Sequence, residues 1–309
     1  MKIGFITSWA EKCGVSEYSK VLVQHFIRAG HEVLVAGNYP KSQLEPDLEY
    51  VKRFFHCPFM TNETTADVQG MLDYLKSCDV VHVQFETSLY HESWFPDFIT
   101  KLKALVPKIV LTMHSAGVWQ NFPFDSIDHF ISHSQIWFKT EIFPMPVVFY
   151  DSDIKPDYKS IISYGLGRND DGMLQRAIEG TDLTYRTTYG HHNWLPKEDL
   201  VKEIQKSWIV SLLYPDSVLK SSSSAVLLAL GCSRPALITD TVWFQHVRDC
   251  PNLFICNNSE EAKGILEYLT DPEMIPYVKH EMKATREWVF DYGFEISQVL
   301  SEHLRLYKE

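Results

Sequence analysis

The sequence predicts an α/β protein made of two doubly wound parallel sheets facing a central cleft. Three observations carry this expectation. The first 37 residues spell a strand, a turn, an amphipathic helix, a glycine and another strand. Strand-like and helix-like runs then alternate almost to the end of the chain. A polar stretch bearing Pro156, Asp151 to Lys159, divides that alternation into two halves.

The opening passage is the clearest. Lys2 to Thr7 reads as a buried strand, and the polar turn Ser8 to Gly14 follows it. Val15, Tyr18, Leu22, Phe26 and Ala29 then recur at helical spacing, with Gly30 where a helix C-cap belongs. Glu32 to Gly37 is the next strand. A strand, helix and strand this close make a βαβ unit, whose strands run parallel. Asp79 to Phe85, Lys108 to Met113, His129 to Ser132 and Val147 to Tyr150 read as further strands, with a helix near Trp94 to Leu105. Beyond the linker, strands are expected at Ser160 to Tyr164, Leu183 to Tyr189, Trp208 to Tyr214, Ala236 to Thr239 and Leu253 to Cys256. Helices are expected near 171–179, 197–206, 222–231 and 243–248, and the tail from Pro272 is mostly helical. The domains are therefore expected at 1–152 and 153–309, with a last helix from Glu281 onward. Ligands of such sheets bind at the carboxyl ends of the strands.

Composition excludes several classes. The 309 residues are 45% hydrophobic and 22% charged, enough for two ordinary cores and too apolar throughout for disorder. A formal net charge of −11 argues against a general nucleic-acid binder, which relies on phosphate neutralisation, although a local basic groove remains compatible with it. Six scattered cysteines without a C-x-x-C pair read as thiols in a reducing compartment. No signal-peptide pattern and no apolar run of ~20 residues are present, so a cytoplasmic protein without a transmembrane segment is expected.

Four places offer chemistry. The turn Glu11-Lys12-Cys13-Gly14-Val15-Ser16 puts a glycine at a helix start, either a plain βα turn or a close approach to an anion. It is not the G-x-G-x-x-G of a dinucleotide site, so no cofactor is indicated. Ser221 to Ser224 lies between the strand ending Leu213-Tyr214-Pro215 and the apolar helix Ala225 to Leu230. That run reads as a diphosphate cradle of hydroxyls and amides, or as a serine loop with one N-cap. His114 closes the strand VLTMH and precedes Ser115, Ala116 and Gly117, so it faces a ligand or is satisfied at a strand end. Trp194, in HHNWLP, reads either as a cover for a nucleoside base or as an exposed loop aromatic. Neither His129 to His133 nor His191-His192 has the company a zinc site needs, so no metal is expected.

Together these residues resemble the GT4-type retaining glycosyltransferases, of the GT-B fold, over most of the chain. The stretch KIGFITSWAEKCGVSEYSKVL with AGHEVLVAG is similar to that family's opening strand, turn, helix and second strand. DVVHVQFE and VLTMHS resemble its middle strands, and ISYGLGRNDDGM the start of its C-terminal domain. LLYPDSVLKSSSSAVLLALGCSRPALITD resembles its donor-phosphate segment. The resemblance implies two Rossmann-like domains, with the last helix returning to brace the first, and a nucleotide-diphosphate sugar as co-substrate. It also implies hexosyl or pentosyl transfer with retained configuration, without metal or covalent nucleophile. It places His114 at the donor sugar; Arg168, the only cation near the C-domain loop, is read from the sequence itself as the second catalytic candidate. On the same motifs Gly14 approaches donor phosphate or acceptor, Ser222, Ser223, Ser224 and Tyr214 bind the donor, and Glu86 and Ser115 lie on the acceptor side, with Trp194 joining the donor candidates as a loop aromatic.

Two positions depart from the pattern. The family's lysine before the glycine of the C-domain loop is replaced by Asp171, ahead of Gly172, and its paired glutamates map onto Lys220 and Leu228. A lysine on a diphosphate contributes about 1.5–3 kcal/mol; either Arg168 and Lys220 supply it instead, or the donor differs, or the protein is a degenerate relative. Three functions follow: sugar transfer to a saccharide, lipid or small-molecule acceptor; transfer to nucleic-acid bases; or a catalytically silent GT-B protein that binds a sugar nucleotide or a partner.

Overall fold

The computed structural model of the protein describes residues 1–40, 48–134, 140–165, 170–189, 193–215 and 222–309. By internal contacts the chain divides into two compact units. One comprises Met1–Phe143 together with Val299–Glu309, and the other lies between Pro144 and Gln298.

The first unit begins β1 (Lys2–Thr7), α1 (Gly14–Arg28) and β2 (Glu32–Asn38). Gly30 ends α1 at φ +84°, the left-handed conformation a residue without Cβ adopts cheaply. β3 (Val51–Phe55), α2 (Pro58–Thr61), α3 (Val68–Leu75), β4 (Val80–Phe85), α4 (Phe95–Lys103), β5 (Ile109–Met113), β6 (His129–Ser132) and β7 (Glu141–Ile142) follow. They form one parallel sheet of order β3-β2-β1-β4-β5-β6-β7, so the winding direction reverses between β1 and β4. β1, β4 and β5 are buried along nearly their whole length, which is why they read as unbroken apolar runs rather than alternating ones. Phe55, Phe85, Phe95 and Phe98 pack in the core on one side of this sheet.

The second unit holds β8 (Asp157–Gly165), α5 (Asp171–Ile178), β9 (Thr184–Tyr189), α6 (Lys197–Lys206), β10 (Ser207–Leu212), α7 (Ala225–Gly231), β11 (Ala236–Thr239), β12 (Leu253–Cys256), α8 (Ser259–Thr270) and α9 (Ile275–Asp291). Its parallel sheet has the order β12-β11-β10-β8-β9. Trp208 anchors it, fully buried, with its indole N–H donated to Leu269 O at 2.7 Å. Both units are thus Rossmann-like. α10 (Ile296–Lys308) closes the chain, and from Val299 its residues belong with the first unit. There Tyr307 Oη lies 2.6 Å from His82 Nδ1, and Lys108 Nζ donates to Leu306 O at 3.1 Å. No helix among the described residues is long and apolar enough to cross a membrane. All six cysteines are buried as thiols.

Several expectations need correction. Val147 to Tyr150 is not a strand: Val147 makes a single bridge to Glu295, and Tyr150 N–H bonds Gly231 O at 2.9 Å. β8 begins at Asp157, so the irregular stretch stops at Pro156. The helix expected from 222 begins at Ala225, and 243–248 is largely a 3-10 turn, Val242–Val247. The last helix is two, broken at Gly293 with φ +76°. β3, β7, α3 and α8 were not expected from the sequence.

Candidate functional site

In a parallel sheet, each connection that follows a strand leaves at the carboxyl edge. Every described candidate residue lies in such a connection or opens the helix after it. In the first unit, the turn after β1 reaches α1 through Cys13, whose Sγ accepts the Ser16 N–H at 3.4 Å. Burial pushes this thiol up to about 11, with Glu86 and Glu11 adding to the effect. The cap is therefore a neutral, weakly accepting sulfur, and Gly14, exposed, opens a 15-residue helix that carries Glu17 in its first turn. The turn itself is clamped. Buried Glu11 accepts from Asn38 Nδ2, Asn38 Oδ1 accepts the Trp9 N–H, and Arg53 donates to Trp9 O and Asn38 O, each at 2.9 Å.

His114 follows β5, and its N–H bonds Phe85 O at 2.9 Å. Its ring sits edge-on to Tyr18 at 5.3 Å and 5.5 Å from the His133 ring. Its Nε2–H donates to Gln84 Oε1 at 2.9 Å, since a carboxamide oxygen only accepts. Burial, then the neighbouring His133, holds the imidazole well below its ordinary pKa, so it is neutral at physiological pH. With Nε2 committed, Nδ1 is the accepting nitrogen of this tautomer. Glu86 and Ser115, both half-buried, flank the same edge after β4 and β5. Gln84 is fully buried, and its amide nitrogen has no hydrogen-bond partner among the described residues. Sequence reasoning missed Gln84, Glu11, Asn38 and Arg53. The readable signal for Gln84 was the pair His82 and Gln84, two polar residues on one face of an otherwise apolar strand.

In the second unit, Tyr214 leaves β10 with its carbonyl accepting from Thr239 Oγ1 at 2.6 Å. Ser223 Oγ donates to Tyr214 Oη at 3.4 Å and accepts the Ala225 N–H at 3.3 Å. Ser223 therefore works as a turn and cap hydroxyl, whereas Ser224 makes no capping hydrogen bond. Gly165 closes β8 at φ +118°, and a Cβ there would stand 3.4 Å from Tyr214 Oη. Asp170 caps α5 by accepting the Met173 N–H at 3.0 Å, and Asp171 accepts from Tyr185 Oη at 2.5 Å. Two carboxylates already occupy that helix start, so it is a poor place for a phosphate. Trp194 is half-buried in the connection after β9, with β8 between its strand and that of Tyr214. Tyr214 and Ser223 are thus brought together, as are His114 and the helix that Gly14 opens. Arg168, Lys220, Ser221 and the His191-His192 pair lie outside the described residues. Among the described residues no three His, Cys, Asp or Glu side chains are grouped so as to hold a metal ion.

No family model matches this chain. Solved structures, however, share its fold from end to end. An α-glucosyltransferase in complex with UDP and a 13-mer DNA containing a central A:G mismatch is 11% identical, with a TM-score of 0.72 over 100% of this chain and 99% of that one. A glycosyltransferase from Rickettsia africae ESF-5 is 12% identical, with a TM-score of 0.70 over 99% of this chain and 97% of its own. Anabaena HepE, in complex with UDP and glucose, is 11% identical, with a TM-score of 0.67 over 99% and 98%. At such identities the likeness establishes fold. This chain has the two-sheet GT-B fold of these glycosyltransferases.

Proposed function

We propose that the chain is a glycosyltransferase that moves a sugar from a nucleotide-diphosphate donor to a saccharide, lipid or small-molecule acceptor. What carries the reading is the placement of every described candidate residue at the carboxyl edges of two parallel sheets, in a fold shared over its length with UDP-binding glycosyltransferases. The donor diphosphate meets Ser222, Ser224 and their amides, with Ser223 and Tyr214 shaping the turn, and Trp194 covers the base. Arg168 and Lys220 supply positive charge to the leaving group, which is electrostatic preorganisation. His114 meets the donor sugar as a neutral imidazole, and loses nothing to protonation near neutral pH. Gly14 gives close backbone approach, and Glu86 and Ser115 line the acceptor side. Transfer is of the GT4 type, a hexosyl or pentosyl transfer that retains configuration without a metal or cofactor, in the cytoplasm.

A second reading takes a nucleic-acid base as acceptor. Two neighbours, at TM-scores of 0.72 and 0.71 over the whole chain, are α-glucosyltransferases in complex with DNA. Against it stands the net charge of −11, which a local basic groove has to overcome. One assay separates the readings. The full chain is incubated with UDP-, GDP- and ADP-sugars, alone and with saccharide, lipid or duplex DNA acceptors, and nucleoside diphosphate release is followed. Release with one donor, accelerated by one acceptor class, is expected. Binding of a donor without release under any condition would leave only a silent sugar-nucleotide binder.

A further inference from the structure

The second unit has another concavity, at the amino edge of its sheet, opposite the carboxyl edge where the candidate donor residues lie. A cavity of about 460 Å³ opens beside the starts of β8, β10 and β11, lined in part by Tyr158, Trp208, Cys232 and Ser233. Its charged lining is Lys155, Lys279, Arg286 and Arg234 against one carboxylate, Asp151. Four cations less one anion leave a net +3, in a chain whose formal total is −11. Like charges gather in one cavity at a cost unless something negative is meant to enter.

Arg234 makes the case specific. Its side chain belongs to a residue only 7% exposed. Nε donates to Ser207 O at 2.8 Å, NH2 to Gln205 O at 2.6 Å, and NH1 to Ser233 O and Cys232 O at 3.0 and 3.3 Å. The guanidinium is thus fixed by carbonyls alone, and no carboxylate pairs with it among the described residues. Buried charges are ordinarily paired, because carbonyl dipoles offset only part of the lost hydration. Ser233 holds φ +51°, a conformation uncommon for a residue with a Cβ, directly before Arg234. Lys279 Nζ lies 5.1 Å from the Tyr158 ring centroid, and that ring stands edge-on to Trp208 at 5.0 Å. Arg286 pairs with Asp151 and lies 4.6 Å over the Phe149 ring, which leaves Lys155 and Lys279 as the movable charges at the mouth.

We propose that this cavity binds a small multivalent phosphate anion, inorganic or esterified, with Arg234 as the fixed charge and Lys155 and Lys279 closing over it. A multivalent anion matches the +3 lining better than a single carboxylate does, and the volume suits a small molecule rather than a polymer. Planar guanidinium and ammonium groups are the residues that hold phosphate oxygens. The site is separate from the proposed donor site and does not depend on it.

The test is calorimetric titration of the full chain at low ionic strength with inorganic pyrophosphate in one arm and glucose 1-phosphate in the other. Lys155→Glu with Lys279→Glu is the decisive variant, since both residues are exposed and their replacement leaves the core intact; an unchanged melting curve verifies this. Saturable binding to the wild type, weakened at least tenfold in the double variant, is expected, and the tighter arm identifies the source of the phosphate. No saturable binding in either arm, or equal affinity in the double variant, overturns the proposal.

Discussion

At the scale of single residues, His114 decides most. Its Nε2–H is committed to Gln84 and its ring is enclosed by Tyr18 and His133, so its charge and orientation are both set by neighbours. Replacement by alanine is expected to lower turnover ten- to a thousand-fold, about 1.4–4 kcal/mol in the barrier, while the melting temperature moves little. Early unfolding with full specific activity in the folded fraction would make His114 a packing residue. Because burial depresses its pKa, the neutral form persists on acidification, and turnover should show no inflection at the ordinary imidazole value of about 6.5. A midpoint at or above that value, absent from the alanine variant, contradicts this. Gln84→Leu removes the acceptor that selects the tautomer, so turnover should fall while donor affinity holds; calorimetry and initial rates together check the split. The position of His114 at a strand end was legible in VLTMH, because four apolar or β-prone residues lead into it. Its partner was not, because which buried glutamine meets which histidine depends on strand order, and nothing in the sequence states that β4 lies beside β5.

At the scale of elements, long buried runs were readable and edges were not. β1, β6, β11 and β12 begin and end at the residues their sequence pattern predicts. β7 is two residues paired on one side only, and β3 is an edge strand carrying Lys52 and Arg53, so neither has the unbroken apolar pattern of the centre. Val147 to Tyr150 has strand-forming side chains but no ladder to join, and is held by an isolated bridge to Glu295 and by hydrogen bonds with Phe294, Gly231 and Gln205. α8 was missed although Asn258 caps it through the Glu260 and Glu261 N–H groups, a local signal outweighed by the polar look of its first turn. Gly231 ties two of these elements together. A Cβ there would lie 2.2 Å from Val148 O, which is backbone and cannot step aside. Gly231→Ala should therefore destabilise by roughly 1–3 kcal/mol or more, as overpacking does. A melting temperature within a degree of wild type would mean the 147–150 segment is not seated on the end of α7.

At the scale of the whole chain, two α/β halves were legible because the period of apolar residues alternates twice over. The place where the chain ends was legible only as a helix. Tyr307, buried in the first unit, holds His82 from one side while Thr112 Oγ1 lies 2.7 Å from its Nε2 on the other. His303 lies beside them, its ring 5.3 Å from His82 and 5.1 Å from Phe143, with Nδ1 donating to Val299 O. Four histidines, His82, His114, His133 and His303, are thereby kept neutral by burial, with His133 and His303 lowered to about 4. The sign of the consequence follows from proton counting. Between about 6.5 and 4 the unfolded chain binds protons that the folded chain refuses, so stability rises with pH across that window. The contribution is fully present above 6.5 and falls away as pH drops toward 4, on the order of 3 kcal/mol for each of the two lowered to about 4. Urea unfolding at pH 7.5, 6.5, 5.5 and 5.0 should show a steep loss in this range. Exposed ion pairs such as Lys76 with Asp73 contribute little to it, because solvent screens them. His303→Phe keeps an aromatic ring in the slot and removes one titrating group, so its stability should fall less steeply between pH 6.5 and 5.0. An identical slope in the variant would show that protonation of His303 is not coupled to unfolding, and that α10 does not seal the first unit in the way its buried residues imply.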